Sequence, residues 1–351
     1  MILTVLTPAE KLAALEWPEL EVVERISLLP DDWLVVCAGF EDRARAVLEN
    51  VVVSGGRCRV LLILYRPFID ENKEHEYFKI CHEAGIEPAK IIYNCQEPAG
   101  FGGHFLEELV SNQGRIFVDV SGMSRLLITQ TLGALGTRAR GFADSFVTYA
   151  EAEFYYPGHA DAEAEFAKGA FDPTFPIQFL SSGVFEVTVV PELSALALAG
   201  AQTRLIAFPS LDEHQLIALQ SELQPSRFSF IEGVPPSPEN LWREEFIAKV
   251  NHLEDIRASA GERFKVSTLD YRETLSCLLQ LYARHAIRER LLLAPTGSKM
   301  QTVAVGIFRA FVRDVQIVYP TPQGFRSPDD YTHGVRTLHQ LPLERFVLPE
   351  D

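Results

Sequence analysis

The feature that most constrains the fold is a strand–loop–helix unit written twice. Residues 116–125 read Ile-Phe-Val-Asp-Val-Ser-Gly-Met-Ser-Arg, and residues 291–300 read Leu-Leu-Leu-Ala-Pro-Thr-Gly-Ser-Lys-Met. In each, an apolar run ends in a hydroxyl residue and a glycine. A second hydroxyl residue and a cation follow, and then a long apolar stretch. Short continuous apolar runs suit strands buried on both faces. Glycine lets backbone approach a ligand closely. A helix that starts at such a loop aims unpaired N–H groups and its positive dipole end at it. Both loops are therefore expected to bind anions, and two of them suit a ligand with more than one phosphate.

The repetition reaches beyond the loops. Glu71-Asn72 precedes Glu76 and Phe78, and Glu239-Asn240 precedes Glu244 and Phe246, at a spacing of 239 − 71 = 168 residues. Phe40 and Phe208, each closing the first strand of its half, keep that spacing. Gly122 and Gly297 are 175 residues apart, so a few residues were gained between the earlier landmarks and these. Preserved order at a fixed spacing points to internal duplication.

Periodicity predicts strands at 33–39, 59–65, 90–93 and 116–120, alternating with helices after Phe40, at 72–84, from 104 and at 124–135. Gly100-Phe-Gly-Gly103 reads as a turn before the third of those helices. A second series begins at 203–208 and continues through strands at 227–231, 264–268, 290–294 and 315–319. The fold class expected is α/β, two Rossmann-like parallel-sheet halves related by internal duplication. Residues 1–157 form the first half, 158–202 a connector and insert, and 203–351 the second half with a C-terminal tail that wraps back over the fold.

Composition narrows the partners. With 48 acidic against 32 basic residues the net charge is −16. Duplex nucleic acid needs a cationic surface, so it is not an expected partner. A small anion in a local basic pocket remains compatible. The five cysteines lack paired spacing, and Cys81-His82 with His75 matches no zinc pattern. No cofactor or metal is expected. The start of the chain lacks a secretory signal pattern, and no apolar run is long enough to span a bilayer. A cytoplasmic protein with reduced thiols is expected.

Candidate ligand residues are Ser121, Gly122, Ser124 and Arg125 in the first loop and Thr296, Gly297, Ser298 and Lys299 in the second. Phe40 and Arg43 follow the first strand, where a Rossmann-like half collects its ligand. Arg43 is read equally as a phosphate contact or as a solvated helix start. Tyr65-Arg66-Pro67 is a weaker candidate of the same kind. Asp119 is placed to orient Ser121 or the Gly122 backbone, and its counterpart Ala294 is apolar. His104 and His214, near the ligand end, are read as structural or solvated. The Walker A spacing is absent, as are a nucleophile elbow and a paired-carboxylate motif, so no catalytic residue is assigned.

The segment Leu293-Ala-Pro-Thr296-Gly297-Ser298-Lys299-Met300 resembles the Thr-Gly-Gly-Thr-Lys-like signature of CARF domains, the CRISPR-associated Rossmann-fold sensors. Two such units in one chain resemble SAVED domains. Ser298 stands where that family often has glycine, and Arg125 follows an extra residue in the first half. The resemblance implies recognition of a cyclic or linear oligonucleotide second messenger in antiviral defence, through Thr296, Gly297, Ser298 and Lys299 and through Ser121, Gly122, Ser124 and Arg125. It implies a sensor acting on a partner effector, or a ring nuclease-like phosphodiesterase using the same loops. A scaffold that recruits a partner through its acidic surface is the third reading.

Overall fold

The structure is a computed structural model, and it describes residues 6–109, 114–171, 179–195, 200–254, 261–324 and 331–347. Helix α1 (Pro8–Ala14) is followed by strands β1 (Glu21–Val23) and β2 (Trp33–Cys37). Helix α2 (Arg43–Val53), β3 (Arg59–Arg66), α3 (Glu74–Glu83), β4 (Ala89–Asn94), α4 (Phe101–Leu109), β5 (Ile116–Asp119), α5 (Arg125–Gly136), β6 (Ser145–Glu151) and β7 (Phe154–Tyr155) complete the first series. Helix α6 (His159–Phe171) and β8 (Val184–Thr188) lead to the second. That series comprises β9 (Gln202–Ala207), α7 (Glu213–Leu223), β10 (Arg227–Val234), α8 (Trp242–Val250), β11 (Gly261–Ser267), α9 (Tyr271–His285), β12 (Glu289–Ala294), α10 (Lys299–Phe311) and β13 (Gln316–Ile317). The chain ends with β14 (Tyr319–Pro322), β15 (Thr332–His333) and β16 (Thr337–Pro342).

In the first half, β2 through β6 pair in parallel in the order β4-β3-β2-β5-β6, and β16 and β1 extend the sheet antiparallel beyond β6. In the second half the order is β11-β10-β9-β12-β13, all parallel. Numbered within each half, both orders are 3-2-1-4-5. Two parallel-sheet Rossmann-like halves are therefore present. The landmarks fall on matching elements: Gly122 and Gly297 each follow the fourth strand, and Phe40 and Phe208 each follow the first. Glu71-Asn72 and Glu239-Asn240 each lie in a short 3-10 turn before the helix after the second strand.

The apolar strands explain the parallel sheets. All five residues of β2 are buried, as are all four of β5. Leu34 and Val36 pack with Val47, Leu48 and Val51 of α2 and with Tyr77 and Cys81 of α3. In the second half Leu205 and Ala207 pack with Leu216 and Leu219 of α7, with Phe230 and with Leu292. Arg204 locks the amino ends of that sheet, with Nε 2.5 Å from Glu289 and Nη1 3.3 Å from Glu262.

Three expectations are corrected. The chain groups into one compact unit of 15–156 with 331–351 and another of 1–14 with 157–330. The C-terminal tail thus belongs to the first half, because β16 pairs along six residues with β6. Residues 159–171, expected as connector, form a helix, and Ala162 within it packs with Phe179, Leu211 and Phe246. Gly102 and Gly103 sit inside α4 instead of a preceding turn. An added Cβ on Gly102 would touch Ala134 of α5, so close helix packing outweighs the poor helix propensity of glycine there.

One buried carboxylate sets an acid limit on the first half. Burial alone would raise the Asp32 pKa, but hydrogen bonds from Arg115 and from the Leu29 and Arg115 amides hold it below the ordinary carboxylate range. Its stabilising effect is present above the unfolded pKa and is lost as pH falls through the depressed folded one. Asp32→Asn is expected to cost about 2 kcal/mol at neutral pH, as for charge-assisted hydrogen bonds. The gap to wild type should close as pH falls through that depressed value. Denaturant titrations across pH check this, and a gap independent of pH would refute it.

Candidate functional site

In both halves the strand order reverses between the first and fourth strands. That reversal is where open α/β sheets bind ligands, at the carboxyl ends of the strands. In the first half an added Cβ on Gly39 would lie 3.3 Å from the Gly122 carbonyl oxygen. In the second, Thr296 Oγ1 donates to the Phe208 carbonyl at 2.6 Å. Each half thus brings its fourth-strand loop against the end of its first strand.

The first loop is closed by its own hydrogen bonds. Asp119 Oδ1, fully buried, accepts from the Ser121 N–H at 3.0 Å and from the Ser121 hydroxyl at 2.5 Å. The same hydroxyl accepts from the Ala150 N–H at 2.8 Å. Ser121, expected to face a ligand, is spent on holding the turn. Gly122 is required by space: an added Cβ would lie 2.3 Å from the Cys37 carbonyl oxygen. Ser124 caps α5 by accepting from the Leu127 N–H at 3.2 Å. Its own N–H donates to the Tyr65 phenol at 2.5 Å, and that phenol donates to the Gly122 carbonyl at 3.4 Å. Burial pushes the Tyr65 pKa well above its ordinary value, so the phenol stays neutral and can both donate and accept. Arg125, half-buried, opens α5.

Arg43 is withdrawn from the solvent. Its Nη2 lies 2.8 Å from Glu41, its Nη1 donates to Tyr149 at 2.8 Å, and its guanidinium lies over the Tyr149 and Tyr155 rings. Burial works against its charge, but Glu41 and the two tyrosines outweigh it and keep Arg43 protonated. Glu41 also accepts from Thr332 at 2.6 Å, and Phe40 meets Tyr331 edge to face at 4.7 Å. Arg43 is not a solvated helix start: it forms a buried ion pair with Glu41, and Glu41 ties the end of β2 to the C-terminal segment. Arg66 pairs with Glu74 at 2.6 Å.

The second loop is built on a different set of contacts. Thr296 is buried and accepts from the Phe208 N–H at 3.3 Å as well as donating to the Phe208 carbonyl. An added Cβ on Gly297 would lie 3.0 Å from Phe208 and 2.4 Å from the Gln301 Oε1. Ser298 and Gln301 form a capping box: the Gln301 N–H donates to Ser298 Oγ at 3.1 Å and the Ser298 N–H to Gln301 Oε1 at 2.9 Å. The Ser298 hydroxyl donates to the Thr268 carbonyl at 2.5 Å, which joins α10 to the end of β11. Lys299 is half-buried at the first turn. The strand ends in Ala294 where the first half has Asp119, so no carboxylate lies at that position.

Two features were not anticipated. Gln301 was legible as the last residue of a Ser-x-x-Gln cap but was not singled out. A Ser181–Asp212–His214 cluster joins residues 180–181 to the start of α7. The Ser181 hydroxyl donates to Asp212 at 2.9 Å, and His214 Nε2 lies 2.9 Å from the same oxygen. Asp212 meets the serine and not the ring, whose Nδ1 has no hydrogen-bond partner among the described residues. The carboxylate therefore does not orient the imidazole as it does in a hydrolytic triad. Burial holds the His214 pKa below its ordinary value against the opposing pull of Asp212. His104 is exposed. No cluster of metal-ligating side chains occurs among the described residues. No helix among them is long and apolar enough to cross a membrane.

No protein-family model matches the sequence, and no curated protein matches it. Among solved structures the chain is similar to a type III CRISPR defence DNA nuclease activated by cyclic oligoadenylate. The TM-score is 0.50 at 12% identity, covering 87% of this chain and 68% of that one. A functionally unknown protein of Pseudomonas aeruginosa PAO1 aligns at 9% identity with a TM-score of 0.23, covering 83% of this chain and 92% of that one. The cytoplasmic domain of a prokaryotic cation chloride cotransporter aligns at 10% identity and 0.23, covering 83% and 95%. The first likeness is one of fold; the other two are too weak to carry an argument.

Proposed function

We propose that this chain is a tandem CARF-like, SAVED-like sensor. It binds a cyclic or linear oligonucleotide second messenger in a prokaryotic antiviral defence system and regulates a partner effector. The observation that carries the reading is a pair. In each of two halves with strand order 3-2-1-4-5, a glycine loop at the order reversal opens a buried helix. Such helix starts favour phosphate. Matching landmarks at matching elements support an origin of the halves by duplication. The fold likeness to a nuclease activated by cyclic oligoadenylate supports testing that ligand class first.

Binding is favoured over ring cleavage. The hydroxyls of Ser121, Ser124, Thr296 and Ser298 all hold the loops or cap the helices. The Asp212 carboxylate near His214 bonds Ser181 and not the imidazole Nδ1, so it does not orient that ring as in a triad. In a chain of net charge −16, Lys299 supplies local positive charge at the second loop.

Lys299→Ala is expected to weaken binding of cyclic di-, tri- or tetra-adenylate by about 1–3 kcal/mol, the range for a lost charge-assisted hydrogen bond. Thermal stability without ligand should hardly change, because a cation at a helix N-terminus opposes the dipole. Calorimetric titration at matched salt decides it. Equal affinity in wild type and variant, or no binding by wild type across the series, would remove the reading.

A further inference from the structure

The amino ends of β2, β3 and β4 border a cavity of about 570 Å³. That volume falls among those of small-molecule sites, about 300–1,000 Å³. The cavity lies at the end of the first sheet opposite the order reversal, so it is separate from the glycine loop of that half. Its inner lining is apolar: Trp33, Val60 and Ile86 are each at most 8% exposed. Ala84, Gly85 and Ala89 also line it, and side chains that small leave the space unfilled. An added Cβ on Gly85 would meet no atom within 4 Å.

The outer lining is mainly cationic. Arg57 and Arg59 both border the cavity and both are exposed. Arg57 makes no ion pair among the described residues. Arg59 lies over the Trp33 ring, 5.8 Å from its centre. It meets Asp31 only at 3.8 Å, and that carboxylate is 80% exposed, where water screens the attraction. Glu87, the one acidic residue of the lining, faces His82 at 3.3 Å. Arg57 and Arg59 against Glu87 leave 2 − 1 = 1 positive charge at the cavity, in a chain whose net charge is −16. A guanidinium presents a planar fork that matches carboxylate and phosphate oxygens. Cys58 also lines the cavity, but burial pushes its thiol up to about 12. It stays protonated, so it offers a ligand contact and no covalent bond.

We propose that this cavity is a second binding site, which takes a small organic anion. Its apolar body lies against Trp33, Val60 and Ile86, and its carboxylate or phosphate meets Arg57 and Arg59. The surplus of one positive charge fits a ligand with a single anionic group and disfavours a polyphosphate or a nucleic-acid strand. The site does not depend on the sensor reading, because it shares no residue with the loops.

Calorimetric titration with 1-naphthoate and with adenosine monophosphate separates a carboxylate ligand from a phosphate one. At least one of the two should saturate the wild-type chain at a single site. Ala89→Leu narrows the cavity, and the double variant Arg57→Ala with Arg59→Ala removes its charge. Each should weaken that binding about tenfold or more. Lys299→Ala should stay within about twofold of wild type. Inorganic phosphate, which has no apolar body, should bind more weakly than the organic anion. Both arginines are exposed, so the double variant should keep the wild-type melting temperature and decides the matter even if Ala89→Leu does not fold. Failure of both organic anions to bind, wild-type affinity in the double variant or in folded Ala89→Leu, or equal affinity for inorganic phosphate would overturn the proposal. An equal loss in Lys299→Ala would assign the anion to the second loop and overturn it too.

Discussion

Truncation after residue 330 is expected to leave the first half unable to fold cooperatively, although its parallel strands all lie within residues 33–151. The deleted segment carries β16, which covers the β6 edge along six residues and holds β1 on its other side. It also carries Leu341, Leu343 and Phe346, each at most 1% exposed. Burying such side chains contributes about 1.5–3 kcal/mol each, so the three together supply about 5–9 kcal/mol. That is of the order of a whole domain's stability, about 5–15 kcal/mol. The loss would also uncover a long strand edge, which promotes aggregation. Thr332 and Tyr331, which hold Glu41 and Phe40, would go with it. Thermal melts and hydrogen exchange of the truncated chain check this. A cooperative melt at the wild-type temperature would show that the tail is an accessory.

Gly122→Ala should be the most damaging single substitution in either loop. The added methyl would stand 2.3 Å from the Cys37 carbonyl oxygen and 3.1 Å from the Ala44 Cβ. The carbonyl belongs to the end of a fully buried central strand, so relief means separating β2 from the β5 loop. Overpacking of this kind costs about 3 kcal/mol. Gly297→Ala meets the Gln301 side-chain tip first, at 2.4 Å, and a side chain can turn away. It should cost less stability while disturbing the capping box. Urea titrations of the two variants rank them. A Gly297 variant less stable than the Gly122 variant would show that the second loop is the more rigid.

The contrast shows what kind of information was local. The strand–loop–helix unit could be read because its signals lie within ten residues: apolar runs, a glycine, two hydroxyl residues and a cation. The Asp119–Ser121 turn spans two residues and was anticipated for the same reason. Arg43 could not be decided, since Glu41 is close in sequence but Tyr149 lies 106 residues away. The Tyr65–Ser124 bond joins residues 59 apart, and nothing near either one announces it.

By itself the sequence determined the alternation of buried strands and helices, the two glycine loops, and the absence of a Walker A loop. Those follow from side-chain period and from residue types a few positions apart. The tertiary structure alone decided that the tail completes the first sheet, that Arg43 is buried against Tyr149, and that Tyr65 crosses to the start of α5. Each of these depends on which distant groups share a desolvated space. Burial turns such pairings into large energies, and the order of residues along the chain does not record them.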